Sequence, residues 1–321
     1  MSARRRVLIL AAALLFSAAR PGDVAAAPFA FVTNQGANSV SVIDIASRIT
    51  VGQVAVGDDP AGVAIGRDGR YVYITNPKSR DVSVLDIGTL GVVDSIAAGD
   101  GPLGIVADPV RDRIYVADWY SKRILAIDTD KRAIAFEIPV GNVPSGIAIN
   151  PSGTRLVVAN RDDNNITIIN LTTRIPLATI GVGKAPFGVT VSNDGRLVFV
   201  ANVQSNDVTV VNLPLLRTEF HIAVGESPYA IAHDPTSERI FVTNQHESTL
   251  SVIDLQRRKE TARIDVGEYP EGIAIARDHG ELYVANWFNN SLSVIDLATL
   301  ETKATIPTGD GPRAFGEFIL Q

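Results

Sequence analysis

Tyr71-Val72-Tyr73-Ile74-Thr75-Asn76, then Pro77-Lys78-Ser79-Arg80-Asp81, then Val82-Ser83-Val84-Leu85-Asp86 is the stretch on which the fold turns. It sets a β-branched and aromatic run, a polar loop and a second β-rich run side by side, which reads as a hairpin. Upstream lie a short apolar run, Gly62-Val63-Ala64-Ile65, and a turn at Arg67-Asp68-Gly69. Downstream, Thr89-Leu90-Gly91 turns into Val92-Val93-Asp94-Ser95-Ile96, and Gly99, Gly101 and Pro102 punctuate the passage onward. Four short strands make one antiparallel sheet. The whole unit then repeats: Asn76 recurs as Asn34, Asp118, Asn160, Asn202, Asn244 and Asn286, always 42 residues apart. Seven such units fill residues 28–321 without an insertion.

A lone four-stranded sheet cannot bury both faces. Radial stacking of seven copies can, and it predicts an all-β fold, a seven-bladed β-propeller of four-stranded antiparallel blades. An open β-solenoid has shorter rungs and no reason to stop at seven. The first copy begins directly at Phe29-Ala30-Phe31-Val32-Thr33, which matches a second strand. Its missing first strand is matched by Gly311-Pro312-Arg313-Ala314-Phe315-Gly316 at the other end of the chain. Residues 315–320 are therefore expected to complete the first blade as its innermost strand, which removes an exposed sheet edge.

The ends and the charge place the chain. Arg4, Arg5 and Arg6 precede an apolar run from Val7 to Ala19, and Ala25-Ala26-Ala27 closes the segment. This reads as a signal peptide over residues 1–26, by the secretory or the twin-arginine route, ahead of a single propeller domain over residues 27–321. The run is too short for a membrane-spanning helix, which needs about 20 apolar residues. Loss of Arg4, Arg5, Arg6, Arg20 and Asp23 with the leader leaves 25 basic and 34 acidic residues, a net charge of −9 against −6 for the whole chain. Such a surface repels nucleic-acid backbones. With no cysteine there is no disulfide, no thiolate metal site, no cysteine nucleophile and no covalent haem motif. A monomer in the periplasm or at the cell surface is expected.

Phe31-Val32-Thr33-Asn34, Phe241-Val242-Thr243-Asn244 and Tyr283-Val284-Ala285-Asn286, continued by Ser39-Val40-Ser41-Val42-Ile43-Asp44 and by Gly57-x-x-Pro60-x-Gly62, resemble the YVTN family of β-propeller repeat proteins over the whole mature chain. The resemblance implies a periplasmic or cell-surface protein of bacteria or archaea. It also implies kinship with the amine dehydrogenase β-chain type, the haem domain of cytochrome cd1 nitrite reductase and lactonase-like propellers. The long tryptophan-bearing repeat of the quinoprotein dehydrogenases is absent. The resemblance implies no particular reaction.

The repeat separates scaffold from site. Residues present in every copy serve what every copy shares. Asn34 and its equivalents, Asp44 and its equivalents, the linker glycines and the linker prolines are all of this kind. Function should sit where copies differ within fixed geometry. On the face carrying the linkers, two positions differ most. One follows the proline: Ala61, Leu103, Ser145, Phe187, Tyr229, Glu271 and Arg313. The other follows the Asn or Asp: Gln35, Pro77, Trp119, Arg161, Val203, Gln245 and Trp287. From them and from the next loop residue come the candidate ligand- or partner-binding residues Gln35, Trp119, Tyr120, Phe187, Tyr229, His246, Glu271, Trp287, Phe288 and Arg313. Loop aromatics favour recognition, or else fold down over neighbouring blades. Glu271 and Arg313, on adjacent blades, either pair with each other or anchor the two ends of a polar ligand.

Catalytic signals are thin. His221, His233, His246 and His279 occupy four different repeat positions, and metal binding needs convergent ligands. A carboxylate site built from Glu226, Glu268 and Glu271 rests on loop position alone, and there is no nucleophile-elbow motif. No metal, cofactor or catalytic residue is expected. The reading is an exported, non-catalytic binding or interaction propeller, meeting a periplasmic protein or a small polar ligand at the channel mouth. The alternative is a hydrolase-, lactonase- or lyase-like enzyme, or an accessory protein handling haem or quinone. Mass spectrometry of the exported protein should find Ala27 at its N-terminus; a chain still carrying Arg4–Arg6 would overturn the leader.

Overall fold

β-Branched residues favour extended backbone, and here their runs are buried on both faces because each blade is sandwiched between two others. In the second blade the strands are Gly62–Ile65, Tyr71–Asn76, Asp81–Asp86 and Gly91–Ala97, within a residue or so of the sequence reading. The computed structural model describes residues 28–320, so the expected leader and its cleavage point lie outside the described residues. Burial fades outward: Tyr71–Asn76 is buried beyond its first residue, whereas the outermost Ile49–Ala55 and Lys259–Asp265 alternate between exposed and half-buried positions. Antiparallel sheets recur around one axis, with the segment after each linker proline innermost. This is the seven-bladed propeller. The hydrophobic clusters lie between blades, as where Phe241 and Leu250 of the sixth blade meet Ile273 and Val284 of the seventh. Among the described residues no helix is long and apolar enough to cross a membrane.

The repeated Asn is buried where each linker enters its blade. The amide of Asn34 donates to Ser39 and Ser41 at 3.0 and 2.9 Å, and Asn76, Asn160, Asn202, Asn244 and Asn286 make the same pair of bonds five and seven residues on. The amide oxygens of Asn160 and Asn34 accept from the linker N–H groups of Gly141 and Gly309 at 3.0 and 3.1 Å. At Gly57, Gly183 and Gly225 the linker N–H reaches the neighbouring hydroxyl instead, each at 3.3 Å. The linker glycines are needed for space more than for backbone freedom. A Cβ on Gly309 would lie 2.6 Å from Asn34 Cγ, and one on Gly57 2.7 Å from Asn76 Cγ. Of these glycines only Gly99 has a positive φ, at 84°.

The third blade breaks the pattern consistently. Arg123 and Leu125 stand where the others carry polar acceptors, so an amide donor would find no partner. Asp118 accepts instead, from Arg123 Nε at 3.0 Å and from the linker N–H of Gly101 at 3.0 Å. On the opposite face, Asp44 and its equivalents cap turns: Asp44 accepts from the Ser47 N–H at 2.8 Å and Asp254 from the Arg257 N–H at 2.8 Å.

The ring closes through the C-terminal segment, with one departure from the expected uninterrupted inner strand. Pro312 bridges Asn34 and Ile319 bridges Ala30, both antiparallel, and the Phe31 N–H donates to the Phe318 carbonyl at 2.8 Å. Between those bridges seven residue steps face four, whereas in the fourth blade five face four. The two extra residues cannot stay in register. The middle, Phe315–Glu317, swings out and pairs in parallel with Gly62–Ile65 of the second blade. Gly316 makes this possible. Its φ is +118°, and a Cβ there would collide with the Val63 carbonyl. Ions also cross the seam: buried Glu281 of the seventh blade pairs with Arg48 of the first and with Lys303 at 3.2 Å. Burial works to raise the Glu281 carboxyl, but hydrogen bonds from Tyr283, Arg48 and Lys303 hold it below the usual range. Gly316→Val should cost about 1–3 kcal/mol of stability, measured by denaturant unfolding. Gly52→Val, where a Cβ meets nothing within 4 Å, is the control; equal stability of the two variants would count against the seam geometry.

Candidate functional site

The inner strands bring the seven post-proline side chains to the axis on the linker face. An axis has room for only a few large groups, and the set is graded accordingly. Ala61, Leu103 and Ser145 are small or medium on one side; Phe187, Tyr229, Glu271 and Arg313 are large on the other, and all but Arg313 are fully buried. Phe187 stacks on Tyr229 with ring centroids 4.2 Å apart, and Phe315 tilts against both at 5.0 and 5.7 Å. Trp119 folds down to 6.1 Å from Phe187. These side chains plug the channel at this end.

The ionisable members of the plug are spent on one another. Arg313 Nε donates to Glu271 Oε2 at 2.6 Å, and Arg313 Nη2 donates to the Tyr229 hydroxyl at 2.5 Å. Gln245 Nε2 donates to the other Glu271 oxygen at 3.2 Å. Burial pushes the Glu271 carboxyl up, opposed by the adjoining guanidinium. Burial likewise pushes the Tyr229 phenol up. Of the two arrangements open to Glu271 and Arg313, the structure shows the mutual pair.

The remaining sequence-derived candidates stay outside the plug. His246, Tyr269, Trp287 and Phe288 form one aromatic patch, with successive centroids 5.8 Å (His246–Tyr269), 5.9 Å (Tyr269–Trp287) and 4.7 Å (Trp287–Phe288) apart. Phe288 is 60% exposed. Tyr269, missed by the sequence reading, is the ring that joins the others; it stands just before a linker proline, a position not weighed. Tyr120 is exposed and lies over Gly101, away from this patch. Gln35 is half-buried, with its N–H on the Gly311 carbonyl at 2.8 Å. The two tryptophans thus differ: Trp119 covers the plug and Trp287 belongs to the patch. Glu226 and Glu268 sit on exposed linkers, apart from buried Glu271. Among the described residues no group of three or more His, Asp or Glu is placed to hold a metal ion.

Below the plug the axis is hollow. A cavity of about 360 Å³ is walled by inner-strand residues such as Ile105, Ile147, Val189, Ile231, Ile273 and Phe315. Its far end, on the turn face, is bordered by Asn193, His233 and Arg277. With its amide turned to satisfy both neighbours, Asn193 donates to His233 Nδ1 at 3.3 Å and accepts from Arg277 Nη2 at 2.9 Å. Burial holds the His233 imidazole below its usual range. None of these three was a candidate from sequence. Yet Asn193 and Arg277 share one repeat position with Arg67, Pro109, Pro151, Pro235 and Ile319, as varied a set as those on the linker face.

Removing one partner of the buried pair strands the other. Glu271→Ala should cost about 3–5 kcal/mol of unfolding free energy, and the double change Glu271→Leu with Arg313→Met should recover most of it. Single and double losses that simply add would show the pair to be uncoupled.

Comparisons with known proteins agree with this architecture. Hydrazine synthase of Kuenenia stuttgartiensis superposes with a TM-score of 0.76 at 23% identity, covering 84% of this chain and 92% of that one. Dihydro-heme d1 dehydrogenase NirN, in complex with DHE, gives 0.71 at 14% identity over 91% of this chain and 75% of that one. A functionally unknown protein from Desulfotomaculum acetoxidans DSM 771 gives 0.78 at 15% identity, over 89% and 99%. At these identities the likeness is one of fold. No curated protein matches the chain. The sequence pattern of the virginiamycin B lyase family matches residues 19–294, most of the length, and the chain belongs to that β-propeller family.

Proposed function

We propose that the protein is an exported propeller that binds a partner protein on its linker face, through the His246–Tyr269–Trp287–Phe288 patch, without chemistry of its own. One observation carries this reading: the post-proline ring plugs the channel on that face. A small substrate finds no entrance there, and what the face offers is a shallow surface with aromatic rings. Aromatics in such a setting are the usual anchors of protein interfaces. Exposed Glu226 and Glu268, whose carbonyls accept from the His246 and Phe288 N–H groups, flank the patch, so the fitting partner carries a basic rim around an apolar centre. The overall acidity of the chain adds long-range attraction of the same sign.

An enzyme of hydrolase, lyase or redox-cofactor type needs ionisable groups turned toward a substrate. On the linker face Glu271, Arg313 and Tyr229 bond one another, which favours binding over chemistry. The test compares wild type with Phe288→Glu in crosslinking capture from an extract of the source cells. Because Phe288 is exposed, the variant should change stability by less than about 0.5 kcal/mol. It should lose the captured protein, and wild-type capture should weaken as salt rises. The same protein captured equally by both, at any salt, would overturn the reading.

A further inference from the structure

The cavity on the axis is a second site, independent of the linker face. We propose that it binds a small neutral amphiphile, an aromatic or branched molecule with one hydrogen-bonding end, entering from the turn face.

Three observations support this. First, the cavity is blind. Phe187, Tyr229 and Phe315 pack against one another across the linker end, so the channel is a cup with a floor. At about 360 Å³ it falls in the ~300–1,000 Å³ range of small-molecule sites. Second, its wall has mixed chemistry. The inner strands of the third to seventh blades lie at the edges of their sheets and show the channel both Ile, Val or Ala side chains and a backbone edge. Such a wall suits a ligand with apolar area and a carbonyl or hydroxyl. Third, the rim is built. His233, from the sixth blade, stands at a repeat position filled by Ile65, Ala107, Ile149, Val191 and Ile275 in the other complete blades and by Glu317 in the closing segment. Asn193 fixes its ring by a hydrogen bond to Nδ1, and Phe199 packs beside it with centroids 5.4 Å apart.

The charge of the ligand follows from the rim. Arg277 stands on the seventh-blade side and exposed Glu317 on the closing segment, both bordering the same opening. Asp194, Asp234 and Glu238 near His233 add acidic charge to that rim, so an anion gains nothing there, and desolvating a charge of either sign among these walls is costly. A neutral ligand avoids that cost.

The experiment uses prodan, a neutral acyl aminonaphthalene whose emission shifts to shorter wavelength on leaving water, with the anion anilinonaphthalene sulfonate as comparison. Prodan should bind the wild-type protein at one saturable site, raise its melting temperature with concentration, and bind at least tenfold tighter than the anion. Ala148→Phe and Ala107→Phe, made separately, narrow the cup and should each weaken prodan at least tenfold, while Phe288→Glu should leave it unchanged. Absence of a saturable blue shift and of thermal stabilisation in the wild type overturns the proposal without any variant. So does binding that Phe288→Glu abolishes, which would place the dye on the aromatic patch. Tighter binding of the anion would overturn the neutral ligand class.

Discussion

The ring stands on a buried side-chain amide. In six of seven blades an Asn ties the strand it ends to the strand that follows it, and at Asn34 and Asn160 its amide oxygen also holds the linker arriving from the preceding blade. A buried amide donor left without partners is costly, so the two bonds it donates fix the hairpin geometry at each of these junctions. Repeating it at equal spacing gives equal blade angles, which lets the last linker dock on Asn34 as the others dock on their own blades. Closure across the seam is thus the same interaction used once more. The inter-blade apolar clusters supply the bulk of the driving force, and the amide sets the angle at which they are buried.

How much of this is legible in the sequence depends on whether a residue answers to its neighbours in the repeat or to the axis. Blade number, strand boundaries and the scaffold role of Asn, Asp, Gly and Pro follow from periodicity, since each copy meets the same surroundings. Even the exception at Asp118 is legible, because Arg123 and Leu125 replace the acceptors that an amide needs. The post-proline ring misleads by the same token. Variation there reads as specialisation, yet sevenfold packing forbids seven large side chains at one axial level. Ala61 and Ser145 on one side make room for Tyr229 and Arg313 on the other. Diversity at an axis is a packing solution first.

The polar rim shows the complementary error. Asn193 and Arg277 vary within one repeat position, and His233 and Glu317 are the polar residues at another. Both signals lie in the chain, on the turn face, opposite the linkers. Nothing in the spacing says which end of a channel is shut; that depends on side-chain volumes summed across blades. The detour of Phe315–Glu317 is similarly hidden, because a two-residue excess can be counted only once both anchoring pairs, Pro312 with Asn34 and Ile319 with Ala30, are known.

The seam also sets an order of events. The strand that finishes the first blade follows every other strand of the ring in the chain, and its partners Asn34 and Ala30 lie nearly 300 residues before it. Contacts of such sequence separation form late, after loop-closure entropy has been met by the rest of the molecule. Until then the first and seventh blades each expose a face, and the second lacks the three residues that run along its inner strand. The folding chain is therefore an open arc before it is a ring, and Gly316, with a backbone that side chains resist, lets the latch segment cross between blades.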